Sequence, residues 1–273
     1  MRKVICILII IVSLGIIAYP FVAEKINSKK QEEIILQEQG AVADADEATL
    51  SSALAVARRY NQALVSGDFT ADLNEYNSLL NLSGTGVMSF IEIPCIEVKL
   101  AIYHGCDDSV LSKGVGHIYG TSLPVGGKGT HTFISGHTGM NNQKMFTDLE
   151  LMDIGDIFYL NTLGEKYAYQ VESINVVDPF AEGVIRTANA DEDKATLITC
   201  TPYGVNSHRL IVTGERVMLS EKETEVIENN KPIKTKGSAW SEQYAKAILA
   251  GVSVFLFILA VYFVYQRIIR RKK

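Results

Sequence analysis

The residues best suited to chemistry in this chain sit where strands end. Thr196-Leu197-Ile198-Thr199-Cys200 is rich in β-branched side chains and reads as a strand, and Arg209-Leu210-Ile211-Val212-Thr213 reads as its return. Between them Pro202, Gly204 and Asn206 are turn formers. A cysteine at a strand end is held rigidly and still opens onto a loop that a substrate can reach. Arg209, starting the return strand, can come back close to that sulfur. A fixed nucleophile and a fixed cation suggest acyl transfer through a thioester; the plainer alternative is a buried cysteine beside a surface arginine.

A thiol at its ordinary pKa needs an adjacent base or cation to act near neutral pH. Of the five histidines, His137 has the most suitable setting. Thr132-Phe133-Ile134-Ser135-Gly136-His137-Thr138-Gly139 is a strand that breaks at glycines around a histidine, the same presentation as Cys200. His104 and His117 read as residues of Gly-flanked turns, His131 as part of a strand start, and His208 as pointing opposite to Arg209. No CxxC pair or close His/Cys cluster suggests a metal site, and no cofactor is expected.

The elements that must position these groups read mostly as β. Segments 87–93, 97–103, 130–135, 157–160, 166–177, 195–199 and 209–215 have strand character and are separated by Gly, Pro, Asn or Asp. About eight short strands at such spacing predict an all-β closed barrel or sandwich, with few short helices, of which 144–151 is one. There is no βαβ alternation and no Gly-rich phosphate loop. Ahead of the strands, Leu50, Leu54, Ala57, Tyr60 (or Asn61) and Leu64 predict an amphipathic helix over 49–65, closed by Gly67 and packed on the barrel. The stretch 66–82 mixes turn formers with Phe69, Leu73 and Tyr76, as in a loop that lies on something.

Charge is unevenly placed. Seven of the 26 basic residues, Arg2, Lys3, Arg267, Arg270, Arg271, Lys272 and Lys273, crowd the two ends without an acid among them. The rest carries 19 basic against 31 acidic residues, a net of −12, and forms no basic stripe, which excludes a nucleic-acid partner. Val4 to Ala23 and Ala247 to Tyr265 are uncharged runs, each about 20 residues long and sufficient to cross a bilayer. Each has its basic flank away from the body, so both termini are expected in the cytoplasm and the body outside. A cleaved signal peptide is the alternative for the first run, but bulky Phe21 stands three residues before a cut at Ala23.

The organisation expected is therefore an N-terminal span or signal anchor (1–23), a stalk (24–47), a helix and loop (48–86), a barrel (87–218), a second stalk (219–246), a C-terminal span (247–266) and a basic tail (267–273). Cys6 lies in the first run. Cys95 and Cys106 could bridge neighbouring strands, leaving Cys200 free.

These motifs resemble the sortases, transpeptidases of Gram-positive surfaces. Thr196 to Cys200 matches their TLxTC signature, Ser135 to Gly139 looks like the stretch with their histidine, and Arg209 follows the cysteine by the family's spacing. The similarity runs from about Val87 to Arg216 and includes Ile91-Glu92-Ile93-Pro94 and Leu123-Pro124-Val125-Gly126-Gly127. The Cys200-Thr201-Pro202-Tyr203-Gly204 continuation, the second span and the helix and loop before the barrel look most like class C, the pilin-polymerising sortases.

The resemblance implies a sortase-like barrel with His137, Cys200 and Arg209 catalytic, and Thr199 and Thr196 as substrate contacts. Its substrates would be LPxTG-bearing surface proteins or pilins. It also implies a lid, for which Asp68 and Phe69 occupy the matching place without the usual proline. The Asp178-Pro179-Phe180 run reads as a strand connection. Glu97 stands where relatives tend to have glycine. Alternatives are a housekeeping sortase that anchors proteins to peptidoglycan, a hydrolytic cysteine peptidase, and a non-enzymatic membrane-tethered binding module with Cys200 incidental.

Overall fold

The computed structural model of the protein describes residues 2–68, 70, 72–140, 143–186, 188–230, 234 and 239–271. Three helices precede the strands: α1 (Arg2–Asp44), α2 (Glu47–Ser66) and α3 (Leu73–Ser78). The strands are β1 (Val87–Ile93), β2 (Val98–His104), β3 (Val115–His117), β4 (Thr130–Ser135), β5 (Ile157–Thr162), β6 (Glu165–Val177), β7 (Asp193–Thr201) and β8 (His208–Val217). A four-residue helix, α4 (Asp108–Leu111), lies between β2 and β3, and α5 (Glu221–Asn230) and α6 (Ala239–Arg271) follow β8. The segment 144–151, expected as a helix, holds only a 3₁₀ turn, Thr147–Leu151.

The strands close into a barrel in the order β1-β2-β3-β4-β7-β8-β6-β5. β2 with β3 and β4 with β7 pair in parallel, and the other neighbours are antiparallel. Alternation along each strand sends one set of side chains inward. Ile91, Ile93, Ile102, Ile134, Phe158, Leu160, Tyr169, Leu197, Leu210 and Val212 belong to this interior cluster. Burying a side chain of that size stabilises by roughly 1.5–3 kcal/mol. Gly214 is small because Phe158 lies against it, 2.7 Å from where a Cβ would stand.

The other strand faces are covered in two places. Over β7 and β8 a small cluster forms from Phe133, Ile198 and Ile211, with Ile118, Val177 and Val184 against it. Over β1 and β2 the cover is α1. Gln31, Ile35 and Glu38 share one face of that helix and are 5%, 1% and 5% exposed. Ile35 packs with Val87, Phe90, Ala101 and Tyr103, while the Gln31 amide accepts from Ala101 N at 3.0 Å and donates to Lys113 O. The expected stalk at 24–47 is thus helix laid along the barrel. Its buried face joins Ile35 to a Gln and a Glu in a stretch that reads as polar and acidic in sequence.

α2 forms where its spacing predicted and buries Leu54, Ala57, Tyr60 and Asn61. Asp46 caps its start, accepting from Thr49 N at 2.7 Å, and Gly67 ends it in the left-handed region at φ 79°. The Asn61 amide is bonded to both Leu123 N and Leu123 O, which locks α2 to the 121–127 loop. α3 is pinned by Tyr76, whose hydroxyl meets His117 Nδ1 at 2.8 Å and accepts from Gly105 N at 3.1 Å.

The second expected stalk carries α5, and its Lys234 returns to the barrel. Lys234 Nζ lies 2.7 Å from carboxylates of both Asp153 and Asp156, and its N–H donates to Cys95 O. Among the described residues one helix is long and apolar enough to cross a membrane, over Glu242–Tyr262. Cys95 and Cys106 are unbridged. They flank the seven residues of β2, which at about 3.3 Å per residue keeps them ~20 Å apart, against the ~7 Å limit for a disulfide. Burial pushes both thiols up to about 12.

Candidate active site

The register brings the three expected catalytic residues to one end of the barrel. Cys200 on β7 is the direct cross-strand partner of Arg209 on β8, a placement that holds Cβ atoms about 4.5–5.5 Å apart. Ser135 on β4 is level with Ile198 on β7. The chain keeps that register beyond the strand: Gly136 N donates to Ile198 O at 3.0 Å, and Thr199 Oγ1 donates to Gly136 O at 2.8 Å. Two residues past Ser135, His137 is therefore level with Cys200.

They also share a face. Phe133, Ile198 and Ile211 form the outer cluster, and alternation puts His137, Cys200 and Arg209 on the same side as these three. All three are partly exposed, whereas Thr199 between them is 3% exposed. The Arg209 guanidinium donates to Asn206 O and His208 O, which folds it over its own turn.

The loop carrying His137 is fastened on both sides. Phe146 N donates to His137 O at 3.1 Å, Gly139 N donates to Thr147 Oγ1 at 3.0 Å, and the Thr138 and Thr199 hydroxyls are bonded to each other. Gly136 has no room for a side chain, since a Cβ there would stand 2.7 Å from Phe146 and 2.8 Å from Val115. Gly139, at φ 78°, faces the ring of Tyr203 from the β7–β8 loop. That loop begins at a cis Thr201–Pro202 bond.

Three of the remaining histidines have internal work. His117 is fully buried, accepts at Nδ1 from Tyr76 and donates from Nε2 to Ser122 O at 2.8 Å, and burial holds it down to about 4. His131 is bonded to Thr196 Oγ1 at 2.7 Å and stacks on Phe133; burial and nearby Arg186 lower it to about 4. His104 bridges Leu79 O and Gly86 O, and burial lowers it too. His208 is exposed beside Ser207.

The expected substrate contacts are located differently. Thr196 is 1% exposed and shares its hydroxyl between His131 and Thr213, four residues down the strand from Cys200. Thr199 spends its hydroxyl on Gly136 and Thr138. Both hold the barrel wall. Asp68 is exposed beyond Gly67, and Phe69 lies outside the described residues.

A groove that sequence reading missed opens beside Arg209. It encloses about 290 Å³, is floored by Ile118, Ile198 and Ile211, and is walled by Val177 at the end of β6 and by Pro179, Val184 and Ile185 of the β6–β7 connection. The run Asp178-Pro179-Phe180 is thus a strand connection whose Asp178 and Pro179 line the groove while Phe180 is exposed. The connection is closed at its base by a bidentate Arg186–Glu192 pair at 2.8 and 2.6 Å, which with Asn189 N holds the Glu192 carboxyl down to about 2. The sequence signal for the groove was the Val184-Ile185 pair in the connection. A larger cleft, about 450 Å³ between α2 and the 126–130 loop, is lined by none of the expected site residues. Among the described residues no His/Cys/Asp/Glu group has the makings of a metal site.

Comparison with known proteins agrees with this fold. Residues 91–217 match the family model described as the sortase domain. Sortase A of Bacillus anthracis is 29% identical over 131 residues, covering 48% of this chain and 60% of that protein, so the chain spans under two thirds of that relative's length. Sortase C1 from Streptococcus agalactiae superposes with a TM-score of 0.65 at 38% identity, covering 69% of this chain and all of that one. A Clostridium perfringens sortase C, solved with its C-terminal cell wall sorting motif, superposes at 0.61 with 39% identity, covering 68% of this chain and 99% of that one.

Proposed function

The chain belongs to the sortase family, and on that premise we propose that it is a cysteine transpeptidase cutting an LPxTG-type sorting signal between Thr and Gly. The observation that carries this reading is the pairing of Cys200 with Arg209 at the mouth of an apolar groove, with His137 level with them.

The Cys200 thiolate attacks the threonine carbonyl carbon. The carbonyl π electrons move onto oxygen, where Arg209 donates hydrogen bonds to the growing charge. Collapse of that adduct expels the glycine amine, which takes a proton from the His137 imidazolium. The thioacyl-enzyme then passes to an amine nucleophile, His137 accepting the proton that this amine loses. The apolar groove suits the leucine and proline side of the signal, and its polar mouth suits the threonine.

The acceptor in this reading is a lysine amine of a pilin subunit, giving an isopeptide bond. The apolar helix α6 and the helices α2 and α3 ahead of the barrel support it, as does the likeness to class C structures. The chain is placed in the membrane through its two apolar runs, with the barrel outside and both termini cytoplasmic. The nearest rival is a housekeeping sortase using a peptidoglycan-precursor amine.

The test offers the full chain in detergent an LPxTG-type peptide with a lysine-bearing pilin subunit or a peptidoglycan-like amine. The full chain is needed because a fragment starting at Ala48 would uncover Val87, Phe90, Ala101 and Tyr103. An isopeptide product with the pilin supports class C. Product with the small amine alone favours the rival, and release of free acid with either would indicate a hydrolase.

A further inference from the structure

Both apolar runs meet the barrel at the same rim, the one that carries Cys200, although β8 ends at the opposite rim and the chain returns from there. On the N-terminal side, Val4 to Ala23 is uncharged and Glu24 follows at once. The Glu24 carboxylate accepts from Lys144 N at 2.9 Å, inside the loop that is fastened to His137 O through Phe146. From Glu24, α1 runs away from the rim: Gln31 meets Ala101 and Lys113, and Glu38 lies near Met88 and Phe90. On the C-terminal side, Lys234 is tied to Asp153, Asp156 and Cys95 O, and α6 then packs on the Thr147–Leu151 turn. Glu242 lies near Glu150, Tyr244 lies near Tyr203 of the β7–β8 loop, and the Phe21 and Tyr244 rings are 6.0 Å apart.

These contacts fix a height. Glu24 borders its apolar run directly, and Tyr244 precedes Ala247 by three residues, about 4.5 Å of helix. The head-group layer outside the ~30 Å hydrocarbon core is roughly 5–8 Å deep on each side. The segments 138–140 and 201–207, either side of the site, contain no Asp, Glu, Lys or Arg, and the charged groups of this rim, Glu24, Glu150, Asp153, Asp156 and Lys234, belong to the contacts just described. The opposite rim carries Lys128 paired to Asp191, with Glu192 next in sequence and Glu165 and Lys166 at the start of β6.

We propose that the catalytic rim faces the bilayer and lies in its head-group layer. The inference rests on the membrane reading above. The groove walled by the β6–β7 connection then runs up from the membrane surface along the barrel flank, and a soluble peptide must enter between barrel and lipid.

The test places a donor fluorophore on the full chain in phosphatidylcholine–phosphatidylglycerol vesicles that carry acceptor-labelled head groups. One sample is labelled through Val205→Cys in the β7–β8 loop, the other through Lys128→Cys at the far rim, each with Cys200→Ala; Val205 is 69% exposed and the Lys128 side chain 82% exposed. Energy transfer several-fold stronger from position 205 is expected, and equal or reversed transfer overturns the orientation. Ser207→Cys and Asp191→Cys repeat the comparison should either first variant misfold. Retention in the vesicles after an alkaline wash is scored separately. A chain that washes out removes the membrane reading and this proposal with it, whereas retention with equal transfer removes the orientation alone.

Discussion

Replacing Thr199 by valine keeps the side-chain shape and removes one hydroxyl. That hydroxyl, 3% exposed, donates to Gly136 O at 2.8 Å and is bonded to Thr138, so it staples the residues on both sides of His137 to the strand that carries Cys200. Losing a buried hydrogen bond and stranding its partners destabilises by about 1–3 kcal/mol. The catalytic effect is larger than stability alone suggests, because a catalytic group displaced by ~1 Å can lose on the order of 100-fold in rate. We expect Thr199→Val to lower kcat on an LPxTG-type peptide by roughly 10- to 100-fold with KM nearly unchanged. Thr199→Ser, which restores the donor, should recover most of it. Steady-state kinetics beside a urea unfolding curve measure both effects. A rise in KM at constant kcat would show Thr199 to be a substrate contact and refute the positioning argument, as would unchanged kinetics.

Three further outcomes follow from the same coordinates. Gly136→Ala drives a methyl against Phe146 and Val115 at 2.7 and 2.8 Å, and should lower the urea midpoint by an amount equivalent to about 1–3 kcal/mol. His117 and His131 are held near 4 in the folded chain against 6.5 when unfolded, so the unfolded chain binds more protons between those values. Stability is then full above pH 6.5 and falls as pH drops toward 4, by about 2 kcal/mol per histidine at pH 5; urea midpoints that match at pH 7.5 and 5 would contradict this. Val184→Asp puts a carboxylate into the apolar groove and should raise KM for the peptide roughly tenfold, about 1.4 kcal/mol of binding, with an unchanged KM counting against the groove as the peptide site.

What was legible in the sequence depended on how local the cause was. The β7–β8 hairpin could be read because β-branched runs flank Pro202, Gly204 and Asn206, and a hairpin brings Arg209 back to Cys200 by geometry alone. The level of His137 could not be calculated, since the parallel pairing of β4 with β7 joins segments more than 60 residues apart. β3 was hidden because its glycines break the strand pattern; Gly116 is there because Gly105 O lies 2.0 Å from where its Cβ would stand. The packing of α1 was hidden by the polarity of Gln31 and Glu38, whose burial is decided by backbone partners on β2 and by the fold of the 79–86 loop. Thr199 and Thr196 were expected as substrate contacts from the resemblance, and only coordinates reveal that both hydroxyls have internal partners. The β6–β7 connection read as filler because its Val184 and Ile185 gain meaning only beside Ile198 and Ile211.

The central claim is that Cys200 forms the thioester with help from His137 and Arg209, and intact-mass spectrometry of the full chain after brief exposure to an LPxTG-type peptide tests it most directly. The account predicts an added mass equal to the peptide through its threonine, mapped to Cys200, absent in Cys200→Ala and strongly reduced in His137→Ala and Arg209→Ala. An adduct that maps to Cys95 or Cys106, or one that forms equally well without His137 and Arg209, would contradict it.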